Sequence, residues 1–295
     1  MVSIANRVLH YLEKSFGISL QQVVMVNLLG QPYRLIKGTL RPKPDYDDAW
    51  LLALACDAQI VFDIGSNIGQ SALLLLHPGR VQEIVLVDAN PLALSQAAQN
   101  LILNGWSERA RFVCAFVSDQ MDQTVDFFTV GTGAAGSFYA SHAKTASTLK
   151  SKQTVPTTTV DHLVTVLNSL PDLVKIDVEG AERLVLKGAT TLASRKHTMF
   201  FVEMHSSYEL PMEENARHVL NWCQQVGYQA WYMKDKTKLT TPEPIQRRGR
   251  CHLLLLPCEA GFPESLNELE QSAPVEKVRI IRNFNSLVAA HAGRS

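Results

Sequence analysis

The sequence has no excess charge of either sign: 28 Lys and Arg stand against 28 Asp and Glu in 295 residues. A chain without a net field is not drawn onto polyanions, so nucleic acid and acidic membrane surfaces are not expected partners. No apolar run approaches the roughly 18 residues of a membrane helix, so no integral membrane segment is expected. The opening stretch MVSIANRVLHYLEKSFGISL interrupts any signal-like core with Arg7, His10, Glu13 and Lys14. Cysteine is scarce and odd in number: Cys56, Cys114, Cys223, Cys251 and Cys258, with no C-x-x-C pair for zinc or redox chemistry. Cys56 and Cys114 lie in apolar company, as buried thiols do, and a reducing cytoplasm is the expected location. There is no internal repeat.

What is present is apolar material, 46% of the residues, arranged in short runs that alternate with longer amphipathic ones. QIVFDI (59–64), EIVLVD (83–88), RFVCAFV (111–117), PDLVKIDV (171–178) and TMFFVEM (198–204) read as strands. NIGQSALLLL (67–76), NPLALSQAAQNLILNG (90–105), ERLVLKGATTLA (182–193) and EENARHVLNWCQQVG (213–227) read as helices between them. Such alternation implies a mostly parallel sheet covered on both faces. GYQAWYM (227–233) and RCHLLLLP (250–257) complete it, the last strand folding back antiparallel. The expected fold is α/β, a Rossmann-like, doubly wound, seven-stranded sheet over residues 59–258. Residues 1–58 form an N-terminal addition, an amphipathic helix through Ile4, Val8 and Leu12 followed by a hairpin in QQVVMVNLLGQPYRLIKG. TVDFFTV adds a further strand, and the small-residue stretch 131–152 reads as a loop able to cover a site. Residues 259–295 form a tail whose spacing over 274–291 is helical.

Ligands of such sheets bind beyond the carboxyl ends of the strands. The polar residues delivered there are Asp63, Asp88, Ser118 with Asp119, Asp177 with Glu179, and Glu203 with His205. The first turn, DIGSNIGQ, excludes one ligand class. A dinucleotide fingerprint needs G-x-G-x-x-G, but counting from Gly65 the second and third glycines are Asn67 and Gln70. What stands is Asp63, Gly65 and Gly69, and Asp88 follows Gly69 by 19 residues, where a carboxylate can accept from both hydroxyls of a ribose. That set suits a nucleoside with a zwitterionic tail.

The ordered segments VFDIGSNIGQ, VDANP, VSD, TTTVDHL, LVKIDVEGAERLVLKGA and FFVEMHS resemble the FkbM-type family of class I S-adenosylmethionine (SAM)-dependent methyltransferases over about residues 59–206. One departure is Asp88-Ala89, where such proteins usually carry Glu-Pro, so a shorter carboxylate faces the ribose. The resemblance implies SAM as cofactor and methyl transfer to oxygen. The acceptor it implies is a hydroxyl of a sugar, glycan, glycolipid or secondary metabolite. Asp63 and Asp177 would face the methionine end, and Gly65 and Gly69 would allow close backbone approach. Asn67 would shape the turn, Asp88 with Ala89 would hold the ribose, and Ser118 with Asp119 would flank the adenine. A SAM-binding module without catalysis is the competing reading.

Methyl transfer to oxygen requires the acceptor to lose a proton. His205, two residues beyond Glu203, is the expected general base, since an ordinary histidine titrates near 6.5, with Glu203 and Asp177 completing the catalytic set. Asp177, Glu203 and His205 could instead hold a metal ion, but the sequence fixes no ligand distances and no metal is expected. Glu182 reads as a helix cap, and the other histidines, His252 among them, read as surface or loop residues. Arg247, Arg248 and Arg250 read as a solvated turn.

Overall fold

The computed structural model of the chain describes residues 22–41, 45–128 and 152–278. The expected N-terminal helix and nearly all of the small-residue stretch lie outside them. Of the expected C-terminal helix residues 274–278 are described, with Val275–Lys277 as a single 3₁₀ turn.

The chain begins with a hairpin, β1 (Val23–Leu28) and β2 (Gln31–Ile36), turning through Leu29 and Gly30. Both turn residues have positive φ, the handedness that matches the twist of the paired strands. A short helix, α1 (Asp48–Ala55), leads into β3 (Ile60–Ile64), α2 (Gln70–Leu76), β4 (Glu83–Asp88), α3 (Pro91–Leu103) and β5 (Ala110–Cys114). Helix α3 starts as its sequence dictates: the Asn90 side chain accepts from the amides of Leu92 and Ala93, and Pro91 takes the first helical position. After β6 (Phe116–Val117), β7 (Thr124–Phe128) and β8 (Lys152–Thr158) come α4 (Val160–Leu167), β9 (Leu173–Ile176), α5 (Glu182–Lys187) and α6 (Thr190–Ser194). Then follow β10 (Met199–His205), α7 (Met212–Val226), β11 (Tyr228–Tyr232), β12 (Thr237–Leu239), β13 (Arg250–Pro257) and α8 (Glu264–Asn267).

The main sheet has the order β12-β11-β13-β10-β9-β3-β4-β5. Strands β10, β9, β3, β4 and β5 pair in parallel, and β13 enters antiparallel between β10 and β11. The expected antiparallel last strand is therefore present, and the eighth strand is only the three-residue β12 on the edge. The chain runs outward from β3 in one direction and from β9 in the other, so the switch point of the sheet lies between these two neighbours.

Alternation along each strand separates two cores. Phe62, Ile64, Val174, Ile176, Phe200, Val202 and Met204 pack under α4 to α7, whereas Val61, Leu173 and Phe201 face α1, α2 and α3. Asp63, Lys175, Glu203 and His205 alternate onto this second face at the ends of their strands. A small sheet of order β6-β8-β7 follows β5 in the chain, its β6 against β4, and carries Phe116 and Phe127 into contact with each other. Cys114 is exposed and Cys56 half-buried, contrary to expectation, because β5 is the edge strand and α1 ends at Cys56; Cys223 and Cys251 are the buried thiols.

Candidate functional site: two clefts with a common wall

The turn after β3 is shaped by residues with positive φ: Gly65 at 78°, Asn67 at 48° and Gly69 at 82°. A Cβ on Gly65 would lie 1.8 Å from the carbonyl oxygen of Asp177, so only glycine allows the ends of β3 and β9 to come this close. A Cβ on Gly69 would lie 2.8 Å from that of Ala97, so Gly69 serves the packing of α3, not a ligand. Asp63 also differs from expectation. It is fully buried, accepting from the Ser71 hydroxyl at 2.6 Å and lying 3.3 Å from the Lys175 ammonium. Lys175 stands opposite Asp63 in the β3–β9 register and is likewise 3.3 Å from Asp177. Burial would lower the Lys175 pKa, but the charges of Asp63 and Asp177 hold it above its ordinary value. The pair forms a charged floor beneath the turn.

Beside the turn opens a first cleft, continuous with solvent. Gly65, Asn67, Asp88, Ala89, Asp177 and Glu179 supply its polar and backbone wall. Asp88 is fixed by two amides, Asn67 N–H donating to Oδ2 at 2.7 Å and Asn90 N–H to Oδ1 at 2.8 Å. Burial raises its pKa, and the two amides partly offset this. Each carboxylate oxygen retains a second lone-pair direction. The opposite wall is apolar: Ala93, Ala115, Phe116, Val117 and Phe127. Ser118 and Asp119, expected beside the adenine, fall just past this wall. The Ser118 hydroxyl donates to Asp119 at 3.2 Å, and Asp119 accepts from exposed Lys187 at 2.6 Å. The chain turns away one residue too soon for them to line the cleft.

A second cleft lies against the first, and Gly65, Asn67, Asp177 and Glu179 line both. Glu179 adopts φ 50°, in the left-handed region, at the end of β9. The second cleft is charged: Arg41, Asp45, Asp47 and Asp48 come from the segment before and within α1, and Lys175, Glu203, His205 and Arg250 from the sheet.

His205 is buried, and its Nδ1 bonds to Glu182 Oε1 at 2.9 Å. Glu182 is fully buried and also accepts from the Gly180 amide and the Asn215 side chain, each at 3.0 Å. The other ring nitrogen lies 3.5 Å from Glu179 and 3.7 Å from Glu203. Burial would lower this imidazole's pKa, but the bond to Glu182 and the charges of Glu182, Glu179 and Asp177 raise it to about 10. The side chain expected to titrate near neutrality is thus shifted toward its protonated form there. Burial pushes the Asp177 carboxyl up; Lys175 pulls it back and Glu203 pushes it further up. Burial would raise Glu203 too, yet the nearby His252 and its charge, with the charges of His205 and Arg250, hold it below its ordinary range. The metal-ligating atoms of Asp177, Glu203 and His205 lie within 4.8 Å of one another, so the alternative metal trio does come together.

Four participants were not expected from the sequence. Glu182 is the anchor of His205, not a cap. Arg250 leaves its supposed solvated turn to stack 4.4 Å above the Tyr46 ring and meet Glu203 at 3.0 Å. Tyr46 donates to the same Glu203 oxygen at 3.2 Å. His252, expected at the surface, is 2% exposed. The signal for Arg250 and His252 was available: the N-terminal residues of an antiparallel strand lie at the same sheet edge as the C-terminal ends of its parallel neighbours. Among the described residues no helix is long and apolar enough to cross a membrane.

The family model for the methyltransferase FkbM domain matches residues 63–230, more than half of the chain. The fold is similar to that of methyltransferase FkbM from Methylobacillus flagellatus KT, at 16% identity and TM-score 0.43, covering 68% of this chain and 44% of that one. This chain therefore spans less than half of that protein's length. It is also similar to P. horikoshii TYW2 in complex with MeSAdo, at 11% identity and TM-score 0.45, covering 84% and 80% of the two chains. Cofactor-bound Rv0187 from MTB is similar at 18% identity and TM-score 0.41, covering 77% and 84%. No curated protein matches the chain.

Proposed function

The chain belongs to the FkbM methyltransferase family, and from that premise we propose that it transfers a methyl group from SAM to a hydroxyl of a sugar, glycolipid or secondary metabolite. The observation that carries this reading is the common wall: Gly65, Asn67, Asp177 and Glu179 border both a cleft that holds Asp88 against an apolar wall and a charged one. When bound, SAM supplies an electrophilic methyl group on a sulfonium. The residues of the first cleft fit such a group. Asp88 offers its remaining lone pairs to the ribose hydroxyls, Ala89, Phe116 and Phe127 enclose the base, and Asp177 with Glu179 favours the cationic tail.

The acceptor enters from the second cleft. Asp177, at the wall and with a raised pKa, would take the proton of the acceptor hydroxyl, with bound SAM supplying the methyl group there. His205 does not act as the base in this scheme. As an imidazolium pinned by Glu182 it holds Glu179 and Glu203 in place beside the wall. We assign the transferase unit to residues 59–258, with residues 1–58 and 259–295 as additions, and a cytoplasmic setting. Acceptor choice falls to the N-terminal addition, which supplies Arg41, Asp45, Asp47 and Asp48 to the second cleft.

The test is transfer of labelled methyl from SAM to cellular glycan, glycolipid, small-metabolite and RNA fractions. Alkali-stable label on a hydroxyl of one of the first three is the expected result. Label confined to RNA, or none in any fraction despite SAM binding, overturns the acceptor class or the activity respectively.

A further inference from the structure

Strands β10 and β13 run antiparallel with Glu203 opposite His252, so both side chains rise on the same face of the sheet. Asp47, at the start of α1, meets them there. The three are buried, and their metal-ligating atoms all lie within 4.8 Å of one another. His252 Nε2 is 3.3 Å from Asp47 Oδ2 and 3.6 Å from Glu203 Oε2. A charge-assisted N–H···O bond is shorter, about 2.7–2.9 Å. Neither ring nitrogen of His252 has a hydrogen-bond partner among the described residues. A buried imidazole in that condition asks for a missing partner.

The surroundings aim the ring. It stacks on Phe201 with centroids 4.9 Å apart and meets the edges of Tyr46 and Trp50 at 5.2 and 5.9 Å. Glu203 is also divided in its duties. Oε1 accepts from Tyr46 at 3.2 Å and pairs with Arg250 at 3.0 Å, which turns Oε2 toward His252. Outer partners of this kind orient a carboxylate that ligates a metal. Two ligands held about 2.0–2.2 Å from one ion stand roughly 3.0–3.4 Å apart at octahedral to tetrahedral angles. The spacing around His252 suits that role with a shift of a few tenths of an ångström.

We propose that Asp47, Glu203 and His252 form a site for one divalent metal ion of the Mn²⁺ or Zn²⁺ kind, opening on the second cleft. One imidazole with two carboxylates is a mixed nitrogen and oxygen set that these ions accept. Asp47 and Glu203 line the cleft, so the remaining coordination positions face the acceptor. This site is better formed than the trio of Asp177, Glu203 and His205. There the Glu203 oxygen nearest His205 is already engaged by Tyr46 and Arg250, and His205 has its own carboxylates. The use of the ion rests on the methyltransferase reading: it withdraws electron density from the acceptor hydroxyl, whose proton then passes to Asp177.

The experiment is calorimetric titration of the chelator-treated full chain with Mn²⁺ and, separately, Zn²⁺, with thermal melts to establish that each variant is folded. One ion per chain is expected for the wild type. Asp47→Asn, which preserves shape and covers the case that His252→Gln fails to fold, weakens binding at least about 100-fold, the top of the range for loss of a supporting partner alone. His205→Gln removes an outer partner of Glu203 and not a ligand, so it weakens binding by less than about 100-fold and by less than Asp47→Asn does. No binding by the wild type, binding unaffected by Asp47→Asn, or loss in His205→Gln with retention in Asp47→Asn each overturns the site. Binding with the expected pattern in a chain that transfers no methyl group upholds the site and sinks the methyltransferase reading instead.

Discussion

The two clefts share a wall but are built from opposite materials. The first is closed on one side by Ala93, Ala115, Phe116, Val117 and Phe127 and carries Asp88 as its main polar contact. The second holds Asp45, Asp47, Asp48 and Glu203 among Arg41, Lys175, His205 and Arg250. A slot with an apolar wall, in which Asp88 is the one carboxylate not shared with the second cleft, selects by shape and a few hydrogen bonds. A cleft dense in paired charges displaces the pKa values of its members, with His205 raised and Glu203 lowered, and that is where proton chemistry and ion binding belong. Substitutions should accordingly divide into those that change cofactor affinity and those that change turnover, with the wall affecting both.

The largest effect is expected at the wall. Gly65→Val must fit a branched side chain where even a Cβ would stand 1.8 Å from the Asp177 carbonyl, at a φ of 78°. SAM binding should fall below detection by calorimetry, and normal affinity in a folded Gly65→Val chain would contradict the arrangement of the turn. Next comes Asp177→Asn. Turnover should drop by roughly 10²–10⁴, the usual contribution of a general base, while SAM affinity changes by no more than about 10-fold. Equal losses in both quantities would assign Asp177 to cofactor binding and remove it from proton transfer. Asp88→Ala belongs to the first cleft alone. Loss of charge-assisted hydrogen bonds of roughly 1.5–3 kcal/mol should weaken SAM about 10- to 150-fold, leaving kcat at saturating SAM unchanged. A fall in kcat there would dissolve the distinction between the clefts.

Much of this geometry was legible because a parallel sheet delivers its strand ends to one edge. Asp88, Asp177, Glu203 and His205 are all there, as reading the apolar runs implied. What end position alone could not give was the face. Asp63 alternates with Phe62 and Ile64, so the period of two already turned it toward Ser71 and α2 and away from the first cleft. Its partner Lys175 is hidden by the same logic: a charge inside the run LVKI reads as an anomaly until the β3–β9 register sets it opposite Asp63. Arg250 and His252 follow from the antiparallel sense of β13 once that sense is taken as a statement about which end meets the ligand edge. Glu182 was beyond reach. Its link to His205 spans two elements, and the Asn215 that completes it comes from α7, a contact that no local spacing announces.

The smallest expected effect concerns stability and tests the charge network of the second cleft directly. His205 has a folded pKa of about 10 against an ordinary value of 6.5, so the folded chain holds its proton more tightly than the unfolded chain. The stabilisation is therefore fully present below about pH 6.5 and is lost as pH rises through about 10. Melting of the chelator-treated wild type, free of any cation that would compete for Glu203, should shift downward across that window. Glu182→Gln preserves shape but removes the charge that anchors the imidazolium, so its melting temperature should be lower by several degrees at neutral pH. That gap should close toward pH 10, where the wild-type proton is also lost. A gap that stays constant with pH would mean that Glu182 contributes packing and hydrogen bonds only, and His205 would return to being a neutral imidazole available as the base.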